Sequence, residues 1–368
     1  MPVSGKEFKG SVCFFNTNKD WGGGEKWSLT VAGELSKRHY NVIIIANKGS
    51  ELLKRAVRAG LPTIGLKMIA GSFLNPFLML RIRKIYRTHN VRVVFLNLSI
   101  DLKTGGRVAG WEKVPKIIYR RGMAKPIRGN RQNRHLLSEV VTDIIATSED
   151  TKRGILRNFS GAIKQEKISI IYNGVELPLI DKEPDPNKKM IIGAAGRVSQ
   201  EKGYTALVEL GIILEDKGVD FEIILAGEGD QLKDIKRRIR KTGLGSRFNL
   251  PGFIEDMDRF YRSIKILVLT SEKEGFANVL LESMSYGKPA IAFNIGSPSE
   301  LIIEGHNGFL VEKDNLEAMA ERIRELYNKP EMLDTMGENA RQRIKKYFSL
   351  ESHVDKIEKL IQSKICKG

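Results

Sequence analysis

The chain has 368 residues, 41% of them hydrophobic and 7% aromatic, with a formal net charge of +17. That length exceeds one ordinary core and predicts two domains, while no run reaches the roughly 18 consecutive apolar residues of a membrane-spanning helix. The charge is unevenly placed: residues 1–180 hold 31 Lys and Arg against 13 Asp and Glu, the remainder 30 against 31, so an anionic partner is expected to meet the first half.

In chain order, "SVCFFNT" (11–17) reads as a buried strand, followed by a Gly-rich turn and a helix through Arg38. "NVIIIAN", a helix near 51–59 and "LPTIGLK" come next, then the strands "RVVFLNL" (92–98), "KIIYR" (116–120) and "DIIATS" (143–148). Strands apolar throughout and separated by helices describe a parallel sheet covered on both faces. The stretch "YNGVELPLIDKEPDPNKK" breaks this pattern with three prolines and reads as a linker. A second series follows in "KMIIGAAG", "FEIILAGEG", "RFNLPGF", "IKILVLTS", "PAIAFNIG" and "GFLVEKD", with helices from about Leu316 onward. The expectation is α/β: an N-terminal domain over 1–178, a linker over 179–188, a second domain over 189–345 and a helical segment over 346–368. In doubly wound sheets ligands bind beyond the carboxyl ends of the strands, and with two domains facing each other the natural site is the cleft.

Three loops at strand ends carry chemistry. In "SEKEGFANVLLESMSYGKPAIAF", Glu274 precedes a helix and Glu282 lies within it. At the rise of a helical residue their carboxylates stand about 8–12 Å apart, against the ~5 Å at which two carboxylates act on one glycosidic bond with retention. The helix N-terminus between them favours a phosphate, so the two glutamates suit the hydroxyls at the two ends of a nucleoside-diphosphate sugar. An ordinary strand–loop–helix with two solvated glutamates fits the spacing equally well. In "GAAGRVSQEKG", Arg197 and Lys202 can match the charge of a leaving diphosphate, or they are two surface cations. In "NKDWGGGEKWSLTVAGEL", Gly22, Gly23 and Gly24 allow close backbone approach at a helix N-terminus; a surface turn explains them nearly as well.

Taken in order, "YNGV", "GRVSQEKG", "LAGEG", "LPGF", "EGFANVLLE", "SYGKPAIAF" and "ELIIEGHNGFLV" resemble the retaining glycosyltransferase family 4. The resemblance covers most of the chain and is strongest from Tyr172 to Val311. It implies a GT-B fold, two Rossmann-like domains facing a cleft, with C-terminal helices packing back toward the N-terminal domain. It implies that Glu274, the first glutamate of the E-x7-E signature, holds donor-sugar hydroxyls and that Glu282 binds the ribose. Gly275, Phe276, Ala277 and Asn278 would present backbone groups to the sugar, and Val279 and Leu280 would lie against the phosphates. Arg197 and Lys202 match the diphosphate-binding cations, Ile254 falls where backbone reads the nucleobase, and Gly22–Gly24 match the glycine loop near the phosphates and acceptor. Many relatives have a histidine after the strand matching "KIIYR"; here the sequence is Tyr119-Arg120-Arg121-Gly122. Arg121 takes that place. An arginine keeps its proton near neutral pH and is no base, so Arg120 and Arg121 are assigned to the phosphate or acceptor side.

No metal or other cofactor is expected. Asp256 and Asp258 in "EDMD" suit a helix N-terminus better than a metal, and the five histidines show no ligand spacing. The basic run 120–134 has no aromatic residue past Tyr119 for base stacking, so nucleic acid is not an expected partner. The segment 73–87, "FLNPFLMLRIRKIYR", reads as a crossover helix with Leu78, Ile82, Ile85 and Tyr86 inward, or as a peripheral contact with anionic lipid. The N-terminus lacks a signal-type apolar run, and Cys13 and Cys366 make no disulfide framework, so a cytoplasmic location, at the inner face of the membrane, is expected. The reading is transfer of a sugar from a nucleotide-sugar to an anionic glycan or glycolipid, as in lipopolysaccharide or another envelope glycan. Its alternatives are another GT-B activity such as sugar-nucleotide epimerisation, and a nucleic-acid-binding protein.

Overall fold

The computed structural model describes residues 8–122, 127–159, 161–180, 188–272 and 274–363. Most of the expected linker therefore lies outside the described residues. The chain forms two compact units, one of residues 1–173 with 353–368 and one of residues 174–352.

The first unit is a parallel sheet of β1 (Ser11–Asn16), β2 (Asn41–Asn47), β3 (Thr63–Leu66), β4 (Val91–Leu96), β5 (Lys116–Arg121), β6 (Asp143–Ala146) and β7 (Ile168–Ile170), in the order β3-β2-β1-β4-β5-β6-β7. Strands such as β2, buried from Val42 to Asn47, have apolar side chains on both faces, which is why their sequences do not alternate. One face carries Cys13, Phe15, Ile43, Ile45, Val94 and Leu96 under the helix α3 (Pro76–Thr88), through Met79, Ile82, Ile85 and Tyr86. The opposite face brings together α1 (Gly23–Lys37), with α2 (Glu51–Arg58) beside it, and the helix Leu350–Gln362. Phe14 and Phe95 stack at 5.0 Å, and the Trp27 edge meets Phe95 at 5.6 Å. Trp27 Nε1 also donates to His353 Nε2 at 2.8 Å, and Arg38 joins Asp355 and Glu358.

Sequence reading names no element between 98 and 116. The structure has a continuous helical run there, α over Ser99–Asp101, π over Leu102–Gly106 and α over Arg107–Trp111. Its glycines look like loop residues. At Gly105, however, a Cβ would stand 2.8 Å from the Phe15 ring, so the residue is small because the helix lies directly on β1.

The second unit is a parallel sheet of β8 (Met190–Ala195), β9 (Phe221–Ala226), β10 (Phe248–Gly252), β11 (Ile266–Leu269), β12 (Ala290–Phe293) and β13 (Gly308–Val311), ordered β10-β9-β8-β11-β12-β13. Both sheets are doubly wound, as expected. Strand order reverses between β1 and β4 in the first and between β8 and β11 in the second. In such folds the crevice at a reversal, beyond the carboxyl ends of the strands, is the usual place for a ligand.

Candidate functional site

In the second unit the crevice is formed by the loop after β8 and the loop after β11. Ile192 and Gly193 of β8 pair with Ile266 and Leu267 of β11, which brings residues 196–204 beside residues 270–272. Glu272 N donates to Glu201 O at 3.0 Å and Thr270 Oγ1 to Lys202 O at 3.4 Å. Gly203 makes this approach possible. Its φ is +62°, and a Cβ there would lie 2.2 Å from Thr270 O, so only glycine fits.

Glu274 is 7% exposed. Its Oε1 accepts from Lys202 Nζ at 2.6 Å and from Ser271 Oγ at 2.7 Å, while its Oε2 has no partner among the described residues. A buried carboxylate is costly unless paired; here one oxygen is held twice and the other by no donor among the described residues. Arg197, at the carboxyl end of β8, is exposed, and its guanidinium has no hydrogen bond or ion pair among the described residues. Tyr204 is buried, its hydroxyl without a hydrogen-bond partner among the described residues, and burial first, then the Glu274 charge, pushes its pKa up.

The helix Asn278–Ser285 starts at the far side of this crevice. Ala277 is its N-cap, and Ala277 N donates to the buried Ser297 Oγ at 3.2 Å. Phe276, Ala277 and Leu280 are buried side chains, so Leu280 presents only backbone. Glu282 Oε2 accepts from Tyr261 Oη at 2.7 Å; burial and the glutamate together hold the Tyr261 hydroxyl well above its usual pKa. Ile254 follows β10, half-buried, beyond Gly252, whose carbonyl accepts from Gly227 N at 2.7 Å. Asp256 accepts from Arg259 N at the start of the helix Met257–Ser263, and Asp258 from Tyr286 and Arg262. Among the described residues no three His, Cys, Asp or Glu side chains gather as a metal would need.

In the first unit the crevice lies after β1 and β4. Asp101 is fully buried and accepts from Thr17 Oγ1 at 2.5 Å, Thr17 N at 3.3 Å and Leu98 N at 3.0 Å. Burial raises its pKa to about 7 against the pull of these bonds. The carboxyl thus ties the two loops together. Gly22 is the extended N-cap of α1, Gly23 its first residue, and Gly24 has open space where a Cβ would go.

Arg120 and Arg121, paired in the sequence reading, have different surroundings. Arg120 is buried, stacked 4.4 Å over Trp27, and donates to Asn173 Oδ1 at 2.8 Å and Asn97 Oδ1 at 3.4 Å. Its hydrogen-bond partners are neutral amides, and burial lowers its pKa to about 9, with Glu25 opposing the shift. Arg121 is half-buried at the end of β5. His353 donates from Nδ1 to Tyr172 O at 2.6 Å and accepts from Trp27 at Nε2; burial, then the Arg120 charge, drops its pKa to about 3. Sequence reasoning passed over Ser271, Tyr204, Tyr261, Ser297 and Asp101. Only Ser271, three residues before Glu274, carried a local signal.

Residues 21–178 match the family described as Glycosyltransferase Family 4, and residues 178–343 the family described as Glycosyl transferases group 1. An uncharacterized glycosyltransferase of Methanocaldococcus jannaschii is 31% identical over 68% of this chain and 68% of its own length. The capsular polysaccharide biosynthesis glycosyltransferase CapM of Staphylococcus aureus is 27% identical over 60% of this chain and 61% of its own. The crystal structure of HepE of Anabaena in complex with UDP and glucose superposes with a TM-score of 0.82, covering 96% of this chain and 100% of that one at 19% identity. That likeness is one of fold.

Proposed function

The chain belongs to the GT-B glycosyltransferases, and on that premise we propose that it is a retaining enzyme moving a sugar from a nucleoside-diphosphate donor to an anionic, membrane-linked acceptor of the cell envelope. The observation that carries the donor side is Glu274: a buried carboxylate at the β8/β11 reversal with Oε1 held by Lys202 and Ser271 and Oε2 open. Oε2 accepts a hydroxyl of the donor sugar. Glu282, further along the helix, takes the ribose hydroxyls, and the diphosphate lies along the helix start between them. Backbone beside Ile254 meets the base. The printed ligands of HepE, UDP and glucose, and the capsular role in the name of CapM support this choice of donor and acceptor classes.

In the proposed reaction the bond between the anomeric carbon and the leaving phosphate oxygen breaks. The acceptor hydroxyl forms its bond on the same face and gives its proton to that phosphate oxygen. Lys202 and the exposed Arg197 meet the charge that grows on the diphosphate, which fixed cations do best in a site shielded from water. Lys202 also orients Glu274, so a single ammonium links the sugar end to the phosphate end. Arg120 and Arg121, at the end of β5, serve the acceptor side, Arg120 from within a set of neutral amides.

The test is a thermal-shift panel of UDP, GDP, ADP and CMP with their common sugars, run beside Glu282→Ala and followed by turnover with Glu274→Gln. The expected result is one nucleotide that raises the melting temperature, an effect lost in Glu282→Ala, and a Glu274→Gln enzyme that binds donor without transferring it. Stabilisation by no nucleotide, or undiminished transfer by Glu274→Gln, overturns the reading. Interconversion of the sugar-nucleotide without an acceptor replaces it with epimerisation.

A further inference from the structure

The segment joining β3 to α3 has more apolar surface in solvent than its surroundings explain. Ile69, Leu74, Phe77 and Leu80 are 59%, 74%, 81% and 58% exposed. Scattered exposed apolar residues are ordinary; four in twelve positions, on one corner, mark an interaction surface. Helix geometry separates this corner from the core. Met79, Ile82, Ile85 and Tyr86 of α3 are buried. Phe77, Leu80, Arg81 and Lys84 recur at helical spacing on the opposite side, and all four are exposed. The outward face is thus apolar in its first turns and cationic in the next.

Charge decides what can cover it. Residues 52–100 contain nine Lys and Arg and no Asp or Glu. On α3, Arg83 and Arg87 are both paired with Glu112. Arg81 and Lys84 have no hydrogen bond or ion pair among the described residues, nor does the exposed Lys67 just past β3. Lys103 lies 5.4 Å over the Phe73 ring and adds a further cation. A protein partner of ordinary composition would leave these cations facing mixed charge; a sheet of anionic headgroups over hydrocarbon satisfies apolar tip and cationic surround together. No helix among the described residues is long and apolar enough to cross a membrane, and the corner needs none.

Position gives the surface a role. All seven strands of this sheet are parallel, so the β3 carboxyl end leading to Lys67 lies on the same rim as the ends of β1, β4 and β5, where Gly22–Gly24, Asp101 and Arg120 stand. We propose that the β3–α3 corner docks the protein on an anionic bilayer, Leu74, Phe77 and Leu80 entering the interface and Lys67, Arg81 and Lys84 meeting the headgroups, so that the membrane borders the acceptor rim of the first unit. The docking stands on this surface alone; its service to an acceptor rests on the transferase reading.

The test is flotation of the full chain with phosphatidylcholine vesicles, plain or containing phosphatidylglycerol. Wild type is expected to float with the anionic vesicles and to remain behind with the neutral ones. Leu74→Ser with Phe77→Ser, and separately Arg81→Ala with Lys84→Ala, should each lower the partition coefficient by about tenfold or more, since each juxtamembrane cation and each inserted side chain contributes substantially. The melting temperature should stay unchanged, because these side chains are already in solvent. Failure to float, or flotation unaffected by both double variants, overturns the proposal. So does loss of heparin binding in parallel with vesicle binding in the cation variant, with the apolar variant unaffected, since the surface would then serve a soluble polyanion. Nucleotide-induced stabilisation of the variants, measured alongside, separates failure of the docking from failure of the transferase reading.

Discussion

Lys202 Nζ stands 2.6 Å from Glu274 Oε1, across 72 positions of sequence. The contact closes the loop after β8 onto the loop after β11, and Ser271 completes it on the same oxygen. Lys202→Met leaves a largely buried carboxylate without its cation and should lower stability, by about 1–3 kcal/mol, and turnover by about 10²–10³. Lys202→Met combined with Glu274→Gln should regain most of the stability and none of the turnover. Chemical denaturation and a steady-state assay check the pair; recovery of activity in the double variant would show that the contact is structural only.

Gly203 and Gly24 make contrasting substitutions. At Gly203 an alanine meets both a left-handed backbone and Thr270 O, and the expected cost is at least about 1–2 kcal/mol, with donor affinity reduced because both loops shift. At Gly24, within α1, nothing lies within 4 Å of an added Cβ, so Gly24→Ala should hold or raise stability by about 0.5–1 kcal/mol. A rise in KM in that stable variant would locate a ligand at the α1 N-terminus, which the fold by itself does not require.

Glu282 should govern sugar-ring discrimination of the nucleotide. Wild type is expected to bind its ribonucleotide more tightly than the 2′-deoxy form, and Glu282→Ala should bind both weakly and equally. Tyr261→Phe, which removes the 2.7 Å bond to Oε2, should give a partial loss in calorimetric titration, about tenfold or less, because one hydrogen bond that orients the carboxylate is gone.

Two buried groups of the first unit oppose each other in pH. His353 falls from 6.5 to about 3 on folding; its unfolded form takes up a proton first, so stability is lost as pH drops below about 6.5. Asp101 rises from 3.8 to about 7; its folded form takes up the proton first, so stability is gained as pH drops from about 7 toward 4. Between pH 4 and 6.5 the two nearly cancel. In Asp101→Asn the gain disappears, and unfolding free energy should fall with acidification up to about 1.4 kcal/mol per pH unit more steeply than in wild type. Equal slopes in denaturant titrations at pH 4.5, 5.5 and 6.5 would refute the assignment.

Much of the architecture could be read from the chain because a buried parallel strand is written as an unbroken apolar run. β2, β4, β8 and β11 all show it, and both sheets followed. Helices with internal glycines could not be read this way: Gly105 is explained by Phe15, 90 positions away, and no local pattern contains that contact. The site divides similarly. Glu274, Lys202, Arg197 and Glu282 stand at strand ends and helix starts, where spacing is informative. Tyr261 and Ser297 reach the site from other segments and, like Tyr204 two residues after Lys202, look like ordinary core or loop residues until the sheet is assembled. Segment 73–87 was open to two readings, crossover helix or lipid contact, and its two faces fit one each: the inner face is core, the outer is the surface proposed for the bilayer.

The helix Leu350–Gln362 has an implication for synthesis. Val354, Ile357 and Ile361 are buried and His353 is bonded to Trp27 and Tyr172, all within the first unit. Residues 1–173 therefore emerge from the ribosome with one face of their sheet covered by α1 but lacking this last helix, and it stays so while the second unit is made. The second unit ends at Ser352, so the first unit, begun before it, is completed after it.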